Sequence, residues 1–120
     1  MIDQPTHTRT GEELDTAKLK AYLHDKVPGF DQEISISQFP GGYSNLTYFI
    51  QAGEHEYVLR RPPFGANIKS AHDMTREYHV LERLRAAGFT KVPEVVHLCE
   101  DERVMGVKFY LMKRVKGVIL

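Results

Sequence analysis

Between residues 34 and 61, three runs of strand-forming residues follow one another through joints that leave the chain room only to reverse. Ile34 to Phe39 alternates apolar and polar residues, Thr47 to Ala52 follows the glycine pair Gly41-Gly42, and Glu56 to Arg61 follows Gly53-Glu54-His55. A parallel crossover needs a dozen residues or more, so connections this short predict an antiparallel meander. After the Pro62-Pro63-Phe64-Gly65 stop, Ser70 opens a helix that lasts until Gly88, with Asp73 completing a capping box and Gly88 ending it. An earlier amphipathic helix is predicted from Glu12, with Leu14, Ala17, Leu19, Ala21, Tyr22 and Leu23 at three- and four-residue spacing. Thr10 and Glu13 form its capping box, and Val27-Pro28-Gly29 stops it. Val92 to Leu98 and Val107 to Met112 read as two further strands joined by the charged turn Glu100-Asp101-Glu102-Arg103. The fold class is therefore α+β: a five-stranded antiparallel sheet with a packed helix, plus an N-terminal helix.

At 120 residues the chain holds one domain. Residues 1–11 are polar and read as a disordered leader, 12–30 as the N-terminal helix and its connection, and 31–120 as the sheet-bearing lobe. Lysines and arginines number 16 and so do aspartates and glutamates, which leaves no global field to recruit nucleic acid or an anionic membrane. Phe39, Tyr43, Tyr48 and Phe49 could stack bases on a sheet, but without a basic excess that reading ranks low. One cysteine, Cys99, cannot form an internal disulfide, and no basic start leads into an apolar run. Both features point to a cytoplasmic protein with a reduced thiol. The six histidines have no spacing suited to a metal. The closing Lys116-Gly117-Val118-Ile119-Leu120 ends in three apolar residues that need a surface to pack on, so the chain reads as the front part of a longer protein.

The helix from Ser70 carries an acid on its apolar stripe: Glu77 falls angularly among Met74, Val80, Leu81 and Leu84. A buried carboxylate needs a cation or a donor. In Tyr57-Val58-Leu59-Arg60-Arg61, Val58 and Arg60 share one strand face and Tyr57, Leu59 and Arg61 the other, so Arg60 could meet Glu77 between sheet and helix. The residues alone equally allow Glu77 to sit at the stripe's edge in water. Gly41-Gly42 likewise admits two accounts: a hairpin turn needing φ > 0, or a bare backbone approaching phosphate oxygens with Ser44 and Asn45 as added donors.

Five segments in order, F-P-G-G-Y-S-N-L-T-Y, Y-V-L-R-R-P-P, R-E-Y, V-P-E-V-V-H-L-C-E-D and F-Y-L-M-K-R-V-K-G, resemble the aminoglycoside phosphotransferase family of protein-kinase-like fold. The resemblance covers about residues 31 to 120. Within the family it is closest to the branch related to acyl-CoA dehydrogenase-linked phosphotransferases. It implies the N-terminal, nucleotide-binding lobe. Gly41, Gly42, Tyr43, Ser44 and Asn45 would lie over the ATP phosphates. Arg60 would stand where kinases place a lysine, with Glu77 as its ion-pair partner. That is a departure, since a guanidinium is planar and bulkier than an ammonium. Met112 would back the adenine pocket, Val58 and Val115 would wall it, and the backbone from Lys113 to Val115 would bond the adenine edge. The family's catalytic aspartate and its Mg²⁺ ligands belong to a C-terminal lobe beyond Leu120, so no catalytic or metal residue is expected here. This piece alone would be inactive. The whole protein would be a kinase transferring the γ-phosphate of ATP to a small-molecule hydroxyl, the alternative being a non-catalytic nucleotide-sensing or interaction domain.

Overall fold

The computed structural model describes residues 5–40, 45–64 and 68–115, with the backbone alone at 68–72. In chain order its elements are α1 (Thr16–Leu23), β1 (Ile34–Gln38), β2 (Leu46–Ala52), β3 (His55–Arg61), α2 (Ile68–Ala86), β4 (Val95–Cys99), α3 (Glu102–Met105) and β5 (Phe109–Lys113). The strands form one sheet in the order β1-β2-β3-β5-β4, every pair antiparallel. This is the expected α+β architecture.

The meander turns from β2 to β3 at Gly53-Glu54, where Gly53 has φ +60°, a conformation that costs glycine no steric clash. Its register sets the two faces. Leu46, Tyr48, Ile50 and Ala52 of β2 and Tyr57 and Leu59 of β3 point one way, into a core with Leu19, Leu23, Val27 and Phe30. Val58 and, from β5, Tyr110 and Met112 point the other way, onto Met74 and Leu81 of α2. The sheet is thus covered on both faces. An eight-residue helix is marginal by itself, and α1 persists because Leu19 and Leu23, one turn apart, are both fully buried against the sheet.

β4 pairs only with β5, and β5 lies between it and β3. The α2 crossover carries the chain past the open edge of β3, and the return strand fills the gap. Phe109 to Met112 are all buried, as a run apolar on both faces requires of an interior strand.

The structure corrects several boundaries. α1 begins at Thr16, not near Glu12: its N-cap is Asp15, which accepts from the Lys18 amide at 3.1 Å, while Glu13 accepts from the Gly11 amide. α2 begins at Ile68, so Ser70 lies inside its first turn instead of capping it. The charged segment after Cys99 is a one-turn helix, capped by Asp101 and closed by Gly106 at φ +87°. The expected leader is ordered where it is described: Thr6 pairs with Gln38 through amide–carbonyl bonds of 2.7 and 2.8 Å, and Gln38 accepts from the Arg9 amide at 2.8 Å. The edge of β1 supplies unpaired backbone groups that composition alone does not reveal. Val80, expected on the buried stripe, is 41% exposed and Leu84 is half-buried, because α2 packs on the sheet mainly through Met74 and Leu81.

Candidate functional site

Alternation along β3 turns Arg60 toward α2 and Arg61 away from it, and the helix meets Arg60 with Glu77. Arg60 Nε donates to Glu77 Oε1, and Nη2 donates to Oε2 at 3.2 Å, a two-pronged ion pair in which the Arg60 side chain is 9% exposed and that of Glu77 26%. Burial opposes the Arg60 charge, but the hydrogen bond and charge of Glu77 outweigh it and hold the guanidinium above its ordinary pKa. Of the two readings open for Glu77, the ion pair is the one the fold adopts.

Two further residues complete the arrangement. Thr47, directly opposite Arg60 in the β2–β3 register, accepts from Arg60 Nη1 at 2.8 Å. Tyr110, opposite Arg60 on its other side in β5, donates its hydroxyl to Glu77 Oε1. Burial first, and then the adjacent carboxylate, push the Tyr110 pKa far up, so it stays a donor. Sequence reasoning missed both. Tyr110 had a signal: a tyrosine inside an apolar strand needs a partner for its hydroxyl. Thr47 had none, since its role follows only from strand register.

An open cleft of about 610 Å³ lies over this group, lined by Asn45, Arg60, Asp73, Arg76, Glu77, Val80 and Leu81. Of the residues expected to hold a nucleotide, Asn45, Arg60 and Glu77 therefore converge. Gly41, Gly42, Tyr43 and Ser44 lie outside the described residues, as does Lys116 to Leu120. Val58 and Met112 sit opposite each other across β3 and β5, both buried. Lys113 projects outward and pairs with Glu94 at 3.3 Å. Its amide donates to the Glu94 carbonyl, and that of Arg114 to the Glu56 carbonyl. Val115 is exposed. The Arg114 guanidinium lies over the rings of Phe39 and Phe49, 5.3 and 4.9 Å from their centroids, next to the Val58–Met112 pair.

Among the described residues, the aromatics Phe39, Tyr48 and Phe49 do not form a stacking platform; Tyr43 lies outside them. Tyr48 points to the α1 face, fully buried, with its hydroxyl on the Glu12 carbonyl at 2.6 Å, while Phe39 and Phe49 pack edge-to-face on the other side. His97 is half-buried and shares a 2.8 Å hydrogen bond with the Tyr22 hydroxyl. Among the described residues, no group of three or more His, Cys, Asp or Glu could hold a metal ion, and no helix is long and apolar enough to cross a membrane.

Residues 35–120 match the model of the phosphotransferase enzyme family. The chain is 40% identical over 118 residues to acyl-CoA dehydrogenase family member 11 of Gallus gallus, covering 95% of this chain and 15% of that protein. It is 36% identical over 124 residues to the probable acyl-CoA dehydrogenase IBR3 of Arabidopsis thaliana, covering 98% of this chain and again 15% of the relative. A crystal structure from Ralstonia eutropha, of a protein assigned to the aminoglycoside phosphotransferases, superposes with a TM-score of 0.69 at 34% identity, over 90% of this chain and 30% of the other. The chain thus spans a small part of the length of each of these relatives. On the match over residues 35–120, it belongs to the phosphotransferase enzyme family.

Proposed function

We propose that residues 31–120 are the nucleotide-binding lobe of an ATP-dependent phosphotransferase, and that the rest of the catalytic apparatus lies in a second lobe outside this chain. The observation that carries the reading is Arg60, held on three sides by Glu77 and Thr47 and lining a cleft with Asn45. A guanidinium fixed in this way presents a charge of constant position to the nucleotide's phosphates. Glu77 and Tyr110 act behind it as positioning groups. Gly41 to Asn45 would close over the phosphates, and Val58 and Met112 would meet the adenine ring. With the Lys113 and Arg114 amides already bonded within the sheet, recognition of the adenine edge would fall to the Val115 amide and the neighbouring carbonyls.

The described residues do not supply a cluster for the divalent cation that such reactions use, since Glu77 is already bonded to Arg60 and Tyr110. This lobe's share is therefore to bind and orient the nucleotide, and no metal-dependent step is assigned to it. Relatives named as acyl-CoA dehydrogenases favour, as acceptor, a hydroxyl of acyl metabolism, such as a hydroxyacyl thioester, over an antibiotic.

The test is ATP binding and phosphate transfer by the full natural chain with Mg²⁺, before and after Arg60→Ala. The expected result is loss of transfer with weakened nucleotide affinity. Unchanged affinity and turnover would remove Arg60 from the site. Binding without transfer to any hydroxyl acceptor would leave a nucleotide sensor in place of an enzyme.

A further inference from the structure

Arg61, the neighbour of Arg60, points through the opposite face of the sheet and is 2% exposed. Among the described residues its only hydrogen bond runs from Nε to the Pro62 carbonyl at 2.9 Å, and the Phe64 ring lies 3.8 Å from the guanidinium carbon. No carboxylate among them reaches it as an ion pair. Glu12 acts on it through charge without an ion-pair contact, its Oε1 accepting from Arg9 Nε at 2.7 Å and Gln38 Nε2 at 2.8 Å. Burial disfavours a guanidinium that has no carboxylate in contact, so an anion seated against this one would relieve it.

Arg61 also lines a cavity of about 380 Å³, within the range of small-molecule sites, together with Leu14, Lys18, Phe64, Val104 and Met105. The other charges around it limit the ligand. Arg103 is clamped to Asp101 by two bonds of 3.0 Å. Glu13 accepts from the Gly11 amide, Asp15 caps α1, and Glu102 adds a third acid to the lining. Three acids in the lining, set against Arg61 and Lys18, disfavour a polyanion such as a nucleotide, yet leave a single negative charge seated on Arg61 favourable. The planar fork of arginine matches a carboxylate, and the apolar lining suits a short hydrocarbon body.

We propose that this cavity is a binding site for a monocarboxylate with a short apolar chain, seated with its carboxylate on Arg61. The cavity is on the far side of the sheet from Arg60, so the proposal does not rest on the phosphotransferase reading. The test is calorimetric titration of the full natural chain with hexanoate, with its neutral isostere hexanamide, and with N-acetyl-glutamate amide as a mimic of an acidic side chain. Hexanoate should bind at millimolar concentration or below, and hexanamide at least about tenfold more weakly, as loss of a charge-assisted bond implies. Arg61→Gln should abolish hexanoate binding. Val104→Trp fills the cavity from a half-exposed position while keeping Arg61, should do the same, and decides the matter if the arginine variant does not fold. Tighter binding of hexanoate than of the glutamate mimic identifies a free organic acid as the ligand. The reverse overturns the assignment of a monocarboxylate with an apolar chain. No carboxylate binding, equal binding of hexanamide, or undiminished affinity in a folded Val104→Trp overturns it.

Discussion

Truncating the two partners of the Arg60–Glu77 pair should have unequal effects, and the inequality can be worked from their burial. Glu77→Ala leaves a guanidinium whose side chain is 9% exposed without its carboxylate, and a fully buried Tyr110 hydroxyl without its acceptor. Removing one partner of a buried pair costs about 3–5 kcal/mol, and an orphaned buried hydroxyl about 1–3 kcal/mol. The two are not additive, because the shortened side chain admits water to both and Thr47 still accepts from Arg60. A loss of about 3 kcal/mol is expected. Arg60→Ala leaves instead a carboxylate whose side chain is 26% exposed and still bonded by Tyr110, which water can solvate. Its expected cost is about 1–2 kcal/mol, much of it packing of the arginine stem. The chain has no tryptophan, so urea unfolding should be followed by far-ultraviolet circular dichroism. Combining Arg60→Ala with Glu77→Ala should cost less than the sum of the two single variants, with a coupling of about 2 kcal/mol in the double-mutant cycle. The reasoning fails if Glu77→Ala lies within about 0.5 kcal/mol of the parent, as a surface substitution would, if the order of the two single variants reverses, or if the cycle is additive.

Tyr110→Phe should keep the fold at a cost of about 1 kcal/mol and lower phosphate transfer in the full natural chain more than it lowers nucleotide affinity; equal kinetics for parent and variant would assign the hydroxyl to stability alone. Gly29 has φ +95°, and a Cβ there would overlap the Ala52 carbonyl oxygen and lie 3.0 Å from the His55 ring, so Gly29→Ala should cost about 3 kcal/mol, read as a fall in Tm. Burial first, and then the charge of Lys26, hold the His97 pKa below its ordinary value. The unfolded chain therefore binds the proton more readily. Stability should fall as pH drops through and below about 6.5, and His97→Gln should flatten that part of the curve. An unchanged pH profile in the variant would count against the assignment.

The pieces legible in the sequence were those whose cause is local. Alternation in Tyr57 to Arg61 placed Arg60 and Arg61 on opposite faces, and a 100° rotation per residue placed Glu77 beside Met74 and Leu81, since each follows from backbone period alone. The start of α1 was less legible because Thr10 and Glu13 match a capping box in local pattern, whereas the helix is capped by Asp15, whose side chain reaches the Lys18 amide. The one-turn α3 carries too few residues to show a period. Thr6 against Gln38 could not be read at all, since an edge strand accepts almost any backbone.

The sequence by itself determined the meander, the two helices and the opposed arginines, because these depend on neighbours within one turn or one hairpin. Only the tertiary structure decided that β5 inserts between β3 and β4. That insertion brings Tyr110 to Glu77 from 33 residues away, while the β2–β3 register sets Thr47 against Arg60. It also fixed the different fates of the two arginines: one paired by Glu77 of α2 and lining the cleft there, the other, among the described residues, with no carboxylate in ion-pair contact beside the cavity at α1. Such groupings depend on which strand lies beside which. The free energy that selects this order comes from burying both faces of the sheet at once, and no local pattern encodes it.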